Sequence, residues 1–179
     1  MSLQPLYETV VRTPSDINEH LEEMFDAVMR LQARTVIELG VRHGNSTIAW
    51  LHALELTQGH LWSVDVLKQW NGIPQDRWTF IEGDDLSDAV QAQLPEEADI
   101  IFIDTYHGYE QTMKEIAAYR SRVRIGGLMI FHDTNVETFD HHPIGSEPPF
   151  PVRKAVQDSF PTYDTCVFVH NHGLTEVLF

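Results

Sequence analysis

Thr35-Val36-Ile37-Glu38-Leu39-Gly40-Val41-Arg42-His43-Gly44-Asn45-Ser46-Thr47 is the most informative stretch of the chain. Its first five residues are short, apolar and rich in β-branched side chains, as in a buried strand. Gly40 stops that strand. From Ser46 to about Thr57, Ile48, Leu51 and Leu54 fall on one side of a helix. Strand, glycine-bearing turn and helix, in that order, open a parallel α/β unit. In open sheets of this kind ligands sit beyond the carboxyl ends of the strands, near the switch point. Gly40 allows the sharp turn, Gly44 lets backbone come close to a ligand, and Val41 lies between them. Ser46 can cap the helix or donate to a bound carboxylate.

Working outward, the same alternation repeats. His60–Val64 reads as a second strand closed by Asp65, and Thr79–Ile81 as a third. Leu86 to about Gln93 is expected to be a short helix. Asp99-Ile100-Ile101-Phe102-Ile103-Asp104 is nearly all apolar, which suits a central parallel strand covered on both faces. His107 to about Val123 is expected to be a helix ended by Gly126-Gly127, before a fifth strand over Leu128–His132. Two apolar runs, Tyr163–Val169 and Leu174–Phe179, flank a His170-Asn171-His172-Gly173 turn and read as a hairpin. The fold class expected is α/β: a Rossmann-like, doubly wound sheet, mostly parallel, with one antiparallel strand from the C-terminal hairpin. Upstream, Thr13-Pro14-Ser15-Asp16 reads as a helix start. Ile17, Leu21, Met24, Val28 and Leu31 then form one apolar stripe, able to dock on the sheet or on a second subunit of a homo-oligomer.

The chain has 179 residues, with 12 Lys+Arg against 27 Asp+Glu, a formal charge of −15 and a single Cys. Hydrophobic content of 42% is that of a folded domain and excludes wholesale disorder. The negative charge repels phosphate backbones and anionic lipid, so neither nucleic acid nor membrane is expected as a partner. One cysteine forms no internal disulfide, and Cys166, in an apolar strand, is expected to be a buried, inert thiol. No apolar run reaches 18 residues and no signal-peptide pattern opens the chain. A soluble, cytoplasmic single domain over 1–179 is expected, with 1–33 as an N-terminal helical extension and the proline-rich 133–151 segment as a lid loop.

Asp65, ending the second strand, is placed to accept hydrogen bonds from ribose hydroxyls, or simply to cap its loop. A dinucleotide fingerprint needs Gly-x-Gly-x-x-Gly, and Arg42 and Asn45 stand in two of the wanted places, which disfavours nicotinamide. The Glu38-x-Gly40-x-x-x-Gly44-x-Ser46 loop resembles the first motif of the class I S-adenosylmethionine-dependent methyltransferases. Asp65 matches their acidic ribose-binding position, and Gly83-Asp84-Asp85 is similar to the segment whose acidic residue faces the adenine amino group. The resemblance runs from about Thr35 to the end. More narrowly, Phe102-Ile103-Asp104-Thr105-Tyr106-His107-Gly108-Tyr109-Glu110 with Gly126-Gly127-Leu128-Met129-Ile130-Phe131-His132-Asp133 looks like a subgroup of macrolide-sugar O-methyltransferases and cephalosporin hydroxylase-like proteins, several of them metal-dependent. Thr105-Tyr106 departs from the small or acidic residue common there, which leaves the substrate class open. The resemblance implies S-adenosylmethionine as cofactor, held by Glu38, Gly40, Val41, Gly44, Ser46, Asp65, Asp84, Asp85 and Asp104, and a small-molecule hydroxyl as substrate.

Asp104 and Asp133 end the fourth and fifth strands. On neighbouring strands ~4.8 Å apart, their carboxylates emerge together and suit a hard cation such as Mg²⁺. His132 or Thr134 can complete such a set, although strand alternation can also turn His132 away. The plainer reading has both aspartates as caps of the turns they begin. His107, three residues beyond Asp104, is either a solvated helix-start histidine or, as the Asp-x-x-His resemblance implies, the base that deprotonates the hydroxyl. A cofactor-binding module without catalysis and a metal-dependent hydrolase using Asp104, His107 and Asp133 stand as alternatives. His141-His142, Glu19, Glu22, Glu23 and Glu96-Glu97 are expected to face solvent, and Trp70 and Trp78 to pack.

Overall fold

A computed structural model of the chain describes residues 3–70, 72–73, 76–143 and 145–179. Pro74, and Ile144 in the expected lid loop over 133–151, lie outside the described residues. Among the described residues seven strands form one sheet: β1 (Thr35–Leu39), β2 (His60–Asp65), β3 (Trp78–Glu82), β4 (Ala98–Ile103), β5 (Val123–His132), β6 (Thr165–Phe168) and β7 (Leu174–Leu178). The spatial order is β3-β2-β1-β4-β5-β7-β6. β1 to β5 pair in parallel, β7 pairs antiparallel with both β5 and β6, and so β7 alone runs against the rest. This is the expected α/β sheet with its single reversed strand.

Alternation along the strands divides the core into two layers. Val36, Leu61, Ile100, Phe102, Leu128 and Ile130 face α2 (Leu21–Leu31) and α3 (Asn45–Thr57), where Met24, Trp50 and Leu54 bury. Ile37, Val64, Ile101, Met129 and Phe131 face the other way, with Ile116 and Tyr119 of α5 (Tyr109–Tyr119) and Val156 of α6 (Pro151–Ser159). The apolar stripe of α2 therefore docks on its own sheet. Ser15 Oγ accepts from the Asn18 amide while Asn18 Oδ1 accepts from the Ser15 amide, a reciprocal cap that starts the turn before α2. No helix among the described residues is long and apolar enough to cross a membrane.

Several boundaries differ from those expected. An unanticipated α1 (Gln4–Arg12) precedes the cap. α4 is short (Asp88–Gln91), capped by Ser87 Oγ. α5 starts after His107 and ends at Tyr119, and Gly126-Gly127 lie inside β5 rather than closing the helix. A Cβ on Gly127 would stand 2.7 Å from the Asp99 carbonyl oxygen, so close approach to β4, not helix termination, requires glycine there. Cys166 is exposed, because β6 is the edge strand and its outer positions are uncovered. Glu23 is half-buried rather than solvated. Trp70 and Trp78 pack together as expected, both buried, with ring centroids 4.4 Å apart.

Candidate active site

The carboxyl ends of β1 to β5 open onto one cleft of about 740 Å³, the size of a small-molecule site. Gly40, Val41, Ser46, Asp65, Asp84, Asp85, Asp104, His107 and Asp133 all line it. Glu38 and Gly44 do not, and act from behind the lining.

Glu38 shows how. Alternation turns it toward α3, where it is fully buried and accepts from Ser46 Oγ (2.7 Å), Thr47 Oγ1 (2.8 Å) and Ser63 Oγ (2.5 Å). Those bonds clamp the loop between β1 and α3. Ser46 is thereby spent on Glu38, and the N-terminus of α3 is left without a side-chain cap, its first amides free to meet an anion. Burial pushes Glu38 up to about 7 against the pull of its three hydroxyl donors. The unfolded carboxyl titrates near 4.5, so the folded state holds the proton more tightly. The resulting stabilisation is full below pH 4.5 and is lost as pH rises to about 7. Glu38→Gln, which cannot titrate, should therefore gain on the wild type by up to ~3 kcal/mol between pH 5 and pH 8. Urea denaturation at the two pH values checks it, and a constant difference would show Glu38 ionised throughout.

Asp65 reaches back from β2. Its Oδ2 accepts from the amides of Val41 (2.9 Å) and Arg42 (2.8 Å), and its Oδ1 from Leu67 (3.1 Å). It thus shapes the glycine loop as well as lining the cleft. Asp84 Oδ1 accepts from the Leu86 amide in a local turn. Burial, then the nearby Asp84, pushes Asp85 up to about 6, and its Oδ2 has no hydrogen-bond partner.

At the other end of the cleft Asp104, His107, His132 and Asp133 converge. His107 Nε2 lies 3.1 Å from Asp104 Oδ1 and 3.0 Å from Asp133 Oδ2. His132 Nδ1 lies 3.3 Å and 3.2 Å from the same two oxygens, and its Nε2 is 3.1 Å from the Asp16 carbonyl. His132 does not turn away from Asp104. It continues the face of Leu128 and Ile130 just as Asp104 continues that of Ile100 and Phe102. Burial favours the neutral rings, yet the two carboxylates outweigh it and push His107 up to about 9 and His132 up to about 10. In turn the histidines hold Asp104 down at about 2 despite its burial, and Asp133 far below the usual carboxylate range. His107 and Asp133 both adopt left-handed backbone, φ +65° and +58°, a strained conformation for non-glycine residues that the surroundings must enforce. Asp104, His107 and Asp133 each offer a ligand atom within 4.8 Å of the others, close enough to share a metal ion.

Other contributors carry no local sequence signal. Ser15, Asp16, Arg42, Tyr106 and Gln111 also line the cleft, and Asp16 pairs with Arg42 at 2.8 Å. Phe139 and Glu147, from the 133–151 segment, lie at the same end. Phe139 stacks on His107 at 4.9 Å, and Glu147 accepts from the Tyr109 amide at the start of α5. His141 is exposed as expected and His142 is half-buried, and the Nε2 atoms of both lie near the Tyr106 carbonyl, at 3.0 and 3.3 Å.

An open sheet with one reversed strand, and a glycine loop facing a cleft at the strand ends, is the architecture of the class I S-adenosylmethionine-dependent methyltransferases. A family model described as a methyltransferase domain matches residues 37–134, more than half of the chain, and the chain belongs to that family. No curated protein matches the sequence. Among solved structures, the fold is similar to the SAH-bound methyltransferase PaMTH1 of Podospora anserina, with TM-score 0.69 and 15% identity over 99% of this chain and 87% of that one. It is also similar to an O-methyltransferase from Bacillus cereus in complex with SAH (TM-score 0.67, 16% identity, 99% and 89% covered). The MycE methyltransferase of the mycinamycin biosynthetic pathway, in complex with Mg, SAH and mycinamycin VI, gives TM-score 0.63 and 20% identity over 90% of this chain. The chain spans 49% of that protein's length.

Proposed function

We propose that this methyltransferase acts on a hydroxyl group of a small molecule, with Mg²⁺ or a similar divalent cation at the strand ends and His107 as base. The observation that carries this reading is the convergence of Asp104, His107 and Asp133 in the same cleft as the glycine loop. S-Adenosylmethionine, the methyl donor, would lie along that loop, with Gly40 and Val41 in close approach, its carboxylate toward the uncapped start of α3, and its ribose and adenine toward Asp65 and Asp84-Asp85. The cleft is large enough, the unpartnered Oδ2 of Asp85 suits an amino donor, and Asp65 lines the cleft where its carboxylate can accept from a hydroxyl as well as from the loop amides. The carboxylates of Asp104 and Asp133 fit a hard cation, with His132 beside them, and His107 is left as the base. When bound, the cation would neutralise the two carboxylates, leaving His107 uncharged, and would lower the pKa of an acceptor hydroxyl.

The chain's own residues then do three things. Asp104 and Asp133 hold His107 by its Nε2 and so orient the ring, which lines the cleft, as the group that receives the hydroxyl proton. The rigid strand ends align acceptor and donor, the main requirement of an in-line displacement. Phe139, stacked on His107, covers the pair as part of a lid and keeps water out.

Calorimetric titration with S-adenosylhomocysteine, with and without Mg²⁺ and with NAD as control, tests the reading. Micromolar binding of S-adenosylhomocysteine and none of NAD is expected; no binding of the former would sink it and favour the hydrolase alternative. His107→Ala is expected to bind S-adenosylhomocysteine as the wild type does. Its release of that product across a panel of hydroxylated small molecules should fall by ~10²–10⁴-fold.

A further inference from the structure

A second group of side chains lies outside this cleft, between the turn that precedes α2 and the turn joining β6 to β7. His20 is wholly buried there, 0% exposed. Neither of its ring nitrogens makes a well-formed hydrogen bond, the backbone of His170 being only a marginal partner. Glu23, one helical turn on, has a buried Oε2 with no partner, while its Oε1 lies 3.5 Å from His170 Nε2. The rings of His20 and His170 face each other with centroids 4.5 Å apart. One ligand atom from each of His20, Glu23 and His170 falls within 4.8 Å of the others. An orphaned imidazole at such depth costs stability unless something satisfies it.

We propose that His20, Glu23 and His170 form a binding site for a first-row transition-metal ion, Zn²⁺ being the best fit. Two imidazoles and one carboxylate suit a borderline ion rather than Mg²⁺, which prefers an all-oxygen shell. Bonds of ~2.0–2.1 Å in a tetrahedron place donor atoms about 3.4 Å apart, and Glu23 Oε1 and His170 Nε2 already stand at that spacing. His170 is partly exposed, which leaves the fourth position to water.

The ion would join two segments far apart in sequence. The β6–β7 turn already touches the N-terminal segment through Asn171 Nδ2 to the Ser15 carbonyl, 3.1 Å, and the cleft through His172 Nδ1 to Asp133 Oδ1, 2.8 Å. Metal at His20 would therefore brace the turn that supports Asp133. It would also raise thermal stability by mass action, since the unfolded chain offers no such preformed set.

The test counts metal equivalents. Protein stripped with EDTA and freed of chelator is titrated with Co²⁺, read by its visible absorption, and with Zn²⁺ in competition with a chromophoric chelator. One equivalent should persist in Asp133→Asn yet weaken by about 100-fold or more in the double variant Glu23→Gln/His170→Ala. Both replaced side chains reach the surface, so the metal-free double variant should keep the wild-type circular dichroism spectrum. If it does not, His170→Gln alone is read in its place. Equal stoichiometry and affinity in wild type and variant overturn the proposal, as does a wild type whose only equivalent disappears in Asp133→Asn.

Discussion

Gly40→Ala is expected to lower the thermal midpoint by about 10 °C and to abolish binding of S-adenosylhomocysteine. A Cβ at this position would stand 1.9 Å from the Asp104 carbonyl oxygen and 2.7 Å from its carbonyl carbon. That obstacle is backbone at the end of β4, held by the Asp104 amide donating to the Leu39 carbonyl at 2.8 Å. It cannot swing aside as a side chain would. Gly40 also sits at φ +91°, where an L side chain costs ~1–2 kcal/mol before any clash. Pushing β1 and β4 apart to make room would bring the loss to about 3–5 kcal/mol, which for a domain of this size is ~2–4 °C per kcal/mol. The same displacement moves the glycine loop and Asp104 together, so cofactor affinity should go with stability. Gly44→Ala is the comparison. Its added Cβ would meet the tip of the Ile73 side chain at 2.3 Å, which can rotate, so only the backbone strain should remain. Thermal scans and calorimetry on both variants check the contrast; equal midpoints for Gly40→Ala and wild type would show that β4 yields.

Asp133→Asn is expected to leave the fold and S-adenosylhomocysteine binding intact and to cut turnover by at least about 100-fold. Asparagine accepts the left-handed conformation that Asp133 adopts, and it keeps an oxygen for His172. What disappears is one of the two negative charges holding His107 and the proposed cation. Asp133 is 5% exposed against 23% for Asp104, so its charge is the less screened by solvent. Loss of Mg²⁺ dependence in the variant, with product release still low, is the accompanying expectation. Full turnover in Asp133→Asn would remove Asp133 from the chemistry and favour its plainer role as a turn residue.

Residue type and periodicity were enough for the sheet. A β-branched run stopped by glycine at Gly40, an apolar strand over Ile100–Ile103 buried on both faces, and a hairpin around His170–Gly173 each follow from local pattern, because strand burial writes itself into hydrophobicity. The strand-end residues Asp65, Asp104 and Asp133 were legible for the same reason: once the strands are known, whatever ends them faces the ligand edge. Boundaries were less so. Gly126-Gly127 resembles a helix stop, yet the helix ends earlier at Tyr119, and Gly127 answers to close approach from Asp99 of β4, a contact between distant residues that no local pattern reports. Cys166 looked buried because β6 is apolar, but whether an edge strand is covered depends on what packs beside it.

The chemistry of the cluster was divided in the same way. Sequence alone placed two carboxylates and a histidine at one sheet edge and marked the glycine loop, since those positions depend only on where strands stop. The tertiary structure decided that His107 and Asp133 turn left-handed to meet, that His132 joins Asp104 on one face, that Glu38 clamps the loop from behind, and that His20, Glu23 and His170 come together. The geometry of each is set by how strands, helices and turns pack on one another rather than by the residues on either side.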